Sequence, residues 1–329
     1  MDGLRDPFRG KRILITGGAG FIGSNLVHRL AGPDVSITVL DDLFTGKIEN
    51  LSDVEMVSFV QGSVTDRELV ENAVAAADVI FHLAARNIIA STRDPYEDFQ
   101  TNIGGTLNVL MAARRHRVER VVYASSASVY GNPRYLPINE SDQLSLLTPY
   151  AVSKFAGEGY CQAFYESYSL PVVVLRYSNL YGPGQDPDNP YCGVVAKFLR
   201  RASEGNALEL HGDGQQTRDF TYVEDVIEAT LAAAQSNRAV GEIFNVATGI
   251  ETSVDSLAHE VMDLYDLKVA PVSIDRRDID NIRRRVLNVE KVRRRLRWTS
   301  RVPLKEGLRR TNEWLNRTNE HHQAAKRAP

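Results

Sequence analysis

A tyrosine and a lysine four residues apart, Tyr150 and Lys154, stand downstream of a glycine cluster, Thr16-Gly-Gly-Ala-Gly-Phe-Ile-Gly23. On a helix that spacing puts both side chains on one face, one turn from each other. An ammonium beside a phenol favours the phenolate, so the Tyr150 pKa is expected to fall toward the range where it moves protons. Gly17, Gly20 and Gly23 follow an apolar strand and open a helix, with Phe21 and Ile22 inside the turn. Small residues there let the backbone approach a pyrophosphate, which the helix N-terminus stabilises. Asp41 ends the next strand and Asp42 follows it. A carboxylate at that place accepts from the adenosine ribose hydroxyls and repels a 2′-phosphate, so NAD is expected over NADP. Strand alternation makes Asp41 the inward acid of the two. The combination describes a bound dinucleotide with an acid–base catalyst beside it.

The elements that must hold these residues alternate along the first half. Strands are expected at Arg12–Thr16, Ser36–Leu40, Met56–Val60, Val79–Leu83, Arg120–Ala124 and Pro171–Arg176, with a helix at Phe21–Leu30. Near-continuous apolar runs belong to strands buried on both faces. Alternation with helices gives βαβ units with right-handed crossovers. The fold class is therefore α/β, a Rossmann-type doubly wound parallel sheet with its ligand at the carboxyl ends of the strands. From about Tyr181 the pattern loosens into a turn-rich loop, Gly182–Pro190. Helices are then expected at Val194–Gly205, Val223–Ala234, Val254–Tyr265 and Leu304–Arg317, with a short strand at Ile243–Val246. This divides the chain into a dinucleotide-binding domain, 11–180, and a smaller α/β substrate lobe, 181–316, some of whose segments return to the main sheet. The termini, 1–10 and 317–329, are expected to be flexible.

The chain has 329 residues and a formal net charge of -3, ordinary for a soluble globular protein. No run is long and apolar enough for a membrane helix, and Met1–Arg12 is not a secretory signal. Cys161 and Cys192 have no metal-like spacing and are expected to be reduced thiols, which points to the cytoplasm. Basic residues crowd the stretch from Arg276 to Arg310, but no recognised nucleic-acid motif accompanies them. No metal, membrane or nucleic-acid partner is expected.

Seven segments in order carry a family resemblance: the glycine turn, His82-Leu-Ala-Ala85, Asn102-Ile-Gly-Gly-Thr106, Ser125-Ser-Ala-Ser-Val-Tyr-Gly131, Tyr150-Ala-Val-Ser-Lys154, Arg176-Tyr-Ser-Asn179 and Arg218-Asp-Phe-Thr-Tyr-Val-Glu-Asp225. From about Lys11 to Trp314 the chain resembles the extended short-chain dehydrogenase/reductase family, and within it the UDP-galactose (UDP-glucose) 4-epimerases. The resemblance implies catalysis by Ser126, Tyr150 and Lys154, with Lys154 setting the Tyr150 pKa and holding the nicotinamide ribose. It implies that Ser63, Val64, Leu83, Ala84, Ala85, Asn102, Ser125 and Tyr177 complete the NAD site. It implies that Arg86, Asn179, Arg218 and Arg285 meet the nucleotide sugar together with Ser126 and Tyr150. Alternatives stay open at this point: Ser125 in place of Ser126, Asn102 as a helix cap, and Arg218-Asp219 as a surface ion pair.

After Ser126, related dehydratases carry an Asp-Glu pair and related decarboxylases a Glu two residues on; this chain has Ala127 and Ser128. What remains is a site able to oxidise carbon 4 of a UDP-hexose and reduce it again. Two departures stand out. Ser63 occupies the place of a common adenine-binding Asp. Asp186 stands about where glucuronate epimerases carry a carboxylate-clamping Arg, which favours a neutral sugar, although one of Arg283, Arg284 and Arg285 falls near the position that gates sugar size. A UDP-glucuronate 4-epimerase, another NAD-dependent oxidoreductase or dehydratase of the family, and a non-catalytic NAD-binding module are the rivals. A homodimer is expected through the helices Asp98–His116 and Pro149–Ser167, whose Leu107, Val109, Leu110, Tyr160, Phe164 and Tyr165 exceed what one inner face needs.

Overall fold

Buried apolar runs separated by glycine turns and amphipathic helices close into one parallel sheet. The computed structural model describes residues 6–189, 192–276 and 282–327. In chain order the first half runs β1 (Arg12–Thr16), α1 (Phe21–Leu30), β2 (Ser36–Asp41), β3 (Val57–Gln61), α2 (Arg67–Ala75), β4 (Val79–His82), α3 (Ile88–Arg93) and α4 (Pro95–Asp98). A π-helical stretch, Phe99–Gly105, leads into α5 (Thr106–Arg115), followed by β5 (Arg120–Ser126), α6 (Pro149–Tyr168) and β6 (Val172–Tyr177). The second half has β7 (Asn179–Tyr181), α7 (Val194–Ser203), β8 (Glu209–His211), β9 (Thr217–Arg218), β10 (Phe220–Tyr222), α8 (Val223–Gln235) and β11 (Ile243–Val246). It ends with β12 (Thr252–Ser253), α9 (Val254–Tyr265), β13 (Val272–Ile274), α10 (Glu290–Leu296) and α11 (Leu304–Arg327).

The main sheet has the order β11-β6-β5-β4-β1-β2-β3, and every pairing in it is parallel. Alternate residues feed two cores. Ile13, Ile15, Val39, Phe81, Val122, Val173 and Leu175 pack with α1 and α8 on one face. Leu14, Leu40, Ile80, Val121, Tyr123, Val172 and Val174 pack with α2, α5 and α6 on the other. Strand order reverses between β1 and β4, which opens a crevice at their carboxyl ends. The later segments build a third core around Tyr181, Phe198, Leu257 and Leu308, joined to short ribbons β7–β10, β8–β13 and β9–β12. No helix among the described residues is long and apolar enough to cross a membrane.

Three expectations change. The single helix over Asp98–His116 is split by the π turns of 99–105, which widen the spiral and let Asn102 point into the protein. The helix expected to stop at Arg317 continues to Arg327, because residues 318–327 contain no glycine or proline to end it. Of the start expected to be flexible, residues 6–10 are anchored at Phe8, 3% exposed, whose ring lies 6.1 Å from that of Phe81. Residues 1–5 and 328–329 of the expected flexible termini, and Pro190 of the turn-rich loop, lie outside the described residues.

Candidate functional site

The glycine turn is shaped by contacts that side chains would prevent. Gly17 has φ +72°, and a Cβ there would lie 2.7 Å from the Ala84 nitrogen. A Cβ on Gly23 would lie 2.2 Å from the Gly17 carbonyl oxygen, so its absence lets α1 start tightly against β1. Helices α2, α3 and α6 begin with side-chain caps from Asp66, Asn87 and Thr148; α1 begins at Gly20 with none, which leaves its first N–H groups for an anion. Beside it lies a cleft of about 260 Å³ lined by Gly17, Gly20, Phe21, Ile22, Gly23, Asp41, Asp42, Val64, Leu83, Ala84 and Ala85. Glycine turn, uncapped helix and acid-ended second strand fit a dinucleotide.

The two acids divide the work differently from expectation. Asp41 is 7% exposed and accepts from the Ala19 N–H at 2.9 Å and the Leu43 N–H at 2.8 Å. Burial pushes its carboxyl up, against the pull of those donors. It therefore braces the glycine turn as well as facing the cleft. Asp42 pairs with Arg86 at 2.8 Å, and Arg86 also meets Glu97 at 2.7 Å and lies 4.1 Å over the Phe44 ring. Arg86, expected at the substrate, is thus placed on the wall of the dinucleotide cleft.

The wall itself is held from behind by His82. Thr106 gives its hydroxyl proton to the Asn102 carbonyl at 2.6 Å, so it accepts from His82 Nε2–H at 3.0 Å. That assigns the other nitrogen, Nδ1, as acceptor from the Thr16 hydroxyl at 2.7 Å, and Thr16 in turn accepts from the Ala84 N–H. Burial pushes the imidazole down to about 3, with Lys154 acting the same way, so His82 stays neutral. Asn102 is not a helix cap: its Oδ1 accepts from the Arg86 N–H at 2.7 Å and its Nδ2 faces Asp98 and the Arg86 carbonyl.

Residues 123–126 of β5 meet α6 in sequence. The Tyr123 hydroxyl donates to the Lys154 carbonyl at 3.3 Å, and a Cβ on Gly157 would lie 2.1 Å from that hydroxyl. Lys154 Nζ donates to the Ala124 carbonyl at 2.8 Å. Ser125 donates to Glu158 Oε1 at 2.5 Å. Ser126 points the other way, as strand alternation requires, and its hydroxyl is near enough to the Tyr150 phenol to act against the rise in its pKa. Ser125 is therefore committed to Glu158, and Ser126 is the hydroxyl beside Tyr150.

The tyrosine pKa is a correction. Burial pushes Tyr150 up to about 12, with the Ser126 hydroxyl acting against it and Asp98 adding to it. Lys154 does not pull it down as the spacing suggested. Its ammonium sits 5.9 Å from the Tyr150 ring centre, tied to Ala124, and burial lowers Lys154 itself to about 8.

Other expected residues separate. Ser63 accepts from the Thr65 hydroxyl at 2.9 Å, whereas its neighbours Gly62 and Val64 line the cleft. The Tyr177 hydroxyl meets Thr230 at 2.8 Å under α8, away from the cleft. Asn179 opens β7 beside β10, its N–H bonded to the Asp219 carbonyl, and its buried Oδ1 has no hydrogen-bond partner. Arg218 donates to the carbonyls of Thr217 and Ile282 at 2.8 Å. Asp219 does not face Arg218; it is fully buried and accepts from Thr248, Gly249 and Leu287. Of the three arginines, Arg283 pairs with Asp213 and Arg284 with Glu251, both exposed, while Arg285 is 3% exposed. Asp186 pairs with Lys47, so its charge is directed at the loop after β2 and neutralised there. The argument from Asp186 against a carboxylate ligand therefore falls.

Phe44, Thr45, Gly46, Asn87 and Thr101 also line the cleft and were not anticipated. Asn87 carried a signal, an N-cap residue before Ile-Ile-Ala, and it does cap α3. The others lie in a loop and a π turn that no periodicity marks.

Residues 13–247 match the NAD dependent epimerase/dehydratase family. A UDP-glucose 4-epimerase of Mycolicibacterium smegmatis is 37% identical over 310 residues, 92% of this chain and 98% of that protein. A dTDP-D-glucose 4,6-dehydratase of Bos taurus is 34% identical over 95% of this chain and 90% of its own. Among solved structures, the Thermotoga maritima UDP-glucose 4-epimerase with UDP-glucose superposes with a TM-score of 0.89 at 35% identity, covering 94% of this chain and 99% of that one. The Thermus thermophilus UDP-glucose 4-epimerase with NAD gives 0.84 at 36% identity, covering 93% and 99%. With a glycine turn, a paired acid and a Tyr–Lys helix assembled on one parallel sheet, the chain belongs to the NAD-dependent epimerase/dehydratase family of nucleotide-sugar enzymes.

Proposed function

We propose that this enzyme inverts carbon 4 of a UDP-hexose, most directly UDP-glucose/UDP-galactose or the N-acetylated forms, with NAD held in the cleft. One observation carries the proposal. Ser126 and Tyr150 stand together, and the two residues after Ser126 offer no carboxylate: Ala127 is apolar, and Ser128 meets the Ser126 hydroxyl at 2.9 Å. A dehydratase or decarboxylase needs an acid there.

When bound, NAD supplies the acceptor and later the donor of the carbon-4 hydride. Tyr150 takes the 4-hydroxyl proton and returns it, and Ser126 orients that hydroxyl. Lys154, held at the Ala124 carbonyl, is the fixed positive charge near the phenol. Asn179 on β7 and Arg218 on β9 are assigned to the diphosphate, a role suited to charge-assisted and bifurcated hydrogen bonds. Residues 11–180 then serve as the NAD domain and 181–316 as the nucleotide-sugar lobe, in a cytoplasmic protein without a nucleic-acid partner.

A second substrate class is favoured by one feature. Arg285 is the only one of the three arginines turned into the protein, and Asp186 is neutralised by Lys47. Both suit UDP-glucuronate. Parallel assays with UDP-glucose, UDP-N-acetylglucosamine and UDP-glucuronate are expected to show epimerisation of a neutral hexose. Turnover of the glucuronate alone would replace the neutral sugar by the acid, and steady consumption of added NAD would point to a dehydrogenase.

The proposed homodimer keeps only Tyr160 of the expected residues and adds others. Val109, Leu110 and Phe164 are buried in the chain's own core, Leu107 packs partly against it, and Tyr165 is half-buried. Tyr160 of the expected set is exposed, and Val152, Phe155, Tyr168 and Met111 are exposed with it on α5 and α6. Light scattering at micromolar concentration is expected to give twice the chain mass; a monomeric mass would remove the dimer.

A further inference from the structure

Beneath the site lies a buried ion pair that the proposed chemistry does not use. Glu158 is 2% exposed and Arg176 3%. Both carboxylate oxygens of Glu158 are engaged: Oε2 by Arg176 Nη2 at 2.6 Å, Oε1 by Arg176 Nε at 2.9 Å and by the Ser125 hydroxyl at 2.5 Å. The remaining guanidinium nitrogen donates to the Tyr130 hydroxyl at 2.9 Å and to the Glu140 carbonyl at 3.0 Å. Tyr130 passes its own proton to Asn245 at 2.6 Å.

This network ties α6 to three strands, β5, β6 and β11. Glu158 is one helical turn beyond Lys154 on α6. Ser125 directly precedes Ser126 on β5. Arg176 is on β6, and Asn245 is on the edge strand β11. A carboxylate alone in such a place would be costly to bury; the bidentate arginine fixes it in one geometry. Ser125 has a single proton, and it goes to Glu158. The last strand residue before Ser126 is thereby locked to the helix that carries Tyr150.

We propose that Glu158 is a positioning residue: through Ser125 it sets the register of α6 against β5, and so the separation of Tyr150 from Ser126, with Arg176 holding the carboxylate in place. This rests on the assignment of Tyr150 and Ser126 as the reacting pair. A displacement of about 1 Å between such groups costs up to about a hundredfold in rate.

The test separates positioning from plain stability. Glu158→Leu strands the Arg176 charge and is expected to lower both Tm and kcat. In Glu158→Leu/Arg176→Met both charges are gone, and apolar replacement of a buried pair is commonly tolerated. The double variant, assayed as the NAD-loaded protein, is expected to regain most of the lost Tm while kcat stays at least about tenfold low and KM is unchanged. Ser125→Ala keeps the ion pair and removes only the link; it is expected to lower kcat with little change in Tm or NAD content. Recovery of kcat together with Tm in the double variant, or wild-type kcat in Ser125→Ala, would overturn the proposal. If the wild-type protein turns over no UDP-sugar, the functional proposal fails separately. The positioning is then read from crystal structures of wild type and Ser125→Ala: a longer Tyr150–Ser126 distance in the variant supports it, and an unchanged distance overturns it.

Discussion

Tyr150→Phe is expected to lower epimerase turnover by at least about a hundredfold while leaving NAD bound. The substitution removes one oxygen atom and keeps the ring, so α6 and its ties to β5 stay intact. In the proposed reaction that oxygen takes the proton of the sugar hydroxyl, with the Ser126 hydroxyl near it. The wild-type phenol is difficult to ionise in this burial, at a pKa of about 12. Making it a base therefore takes more than the Lys154 ammonium, which lies 5.9 Å from the ring centre and does not lower the phenol pKa at that distance. Lys154 itself, lowered to about 8 by burial, keeps its proton at neutral pH and loses it on the alkaline side. Turnover by coupled assay and NAD content by absorbance after denaturation check the outcome. Activity within a few-fold of wild type would remove Tyr150 from the reaction.

The second large effect is expected at Gly23. Gly23→Ala should weaken NAD binding by about a hundredfold or more, a change of about 2.7 kcal/mol. The added methyl would sit 2.2 Å from the Gly17 carbonyl oxygen and 2.6 Å from Gly18 Cα. Both neighbours are backbone, and Gly17 is itself held against Ala84, so the methyl has no flexible side chain to push aside. Relief requires α1 to move off β1, which carries the uncapped N–H groups away from the phosphates. Overpacking of this kind costs about 1–3 kcal/mol in the fold as well. Calorimetric titration of NAD-stripped protein, with a thermal melt, measures both. Gly159→Ala is the control: a Cβ there meets nothing within 4 Å, and NAD affinity should not change. Equal affinity in the Gly23 variant would mean that the turn does not hold the cofactor.

The parallel sheet was legible because its strands are apolar on both faces and each helix between them opens or closes on a glycine, a cap or a proline. Helices α1 and α9 fall on the residues that their patterns mark. The short ribbons β8, β9, β12 and β13 did not show, since two or three residues are too few for alternation to register. The π turns of 99–105 did not show either, because a widened spiral keeps nearly the same apolar spacing as an α-helix. At the site, Tyr150, Lys154, Ser126 and the glycines were legible from local spacing. Their pKa values were not, since burial depends on what the rest of the chain places around them. Side-chain direction explains the other differences. Tyr177, Arg86, Ser63 and Asp186 each stand near the expected place and turn toward Thr230, Asp42, Thr65 and Lys47. The Glu158–Arg176 pair joins residues on α6 and β6 that no motif links, and only folding brings them together.

The position of β11 has a consequence for synthesis of the chain. β6 is buried along its whole length, yet its outer neighbour, β11, comes from far downstream, after the first elements of the second half have been made. While the chain emerges from the ribosome, β6, with its aliphatic run Val172–Leu175, therefore presents an open edge with unpaired backbone groups, the kind of surface that joins other chains. Only when residues 243–246 have emerged is that edge closed. The nascent protein thus passes through a long interval in which it is sticky on one side, and the strand that ends this interval belongs to the half of the chain that also holds Asn179 and Arg218.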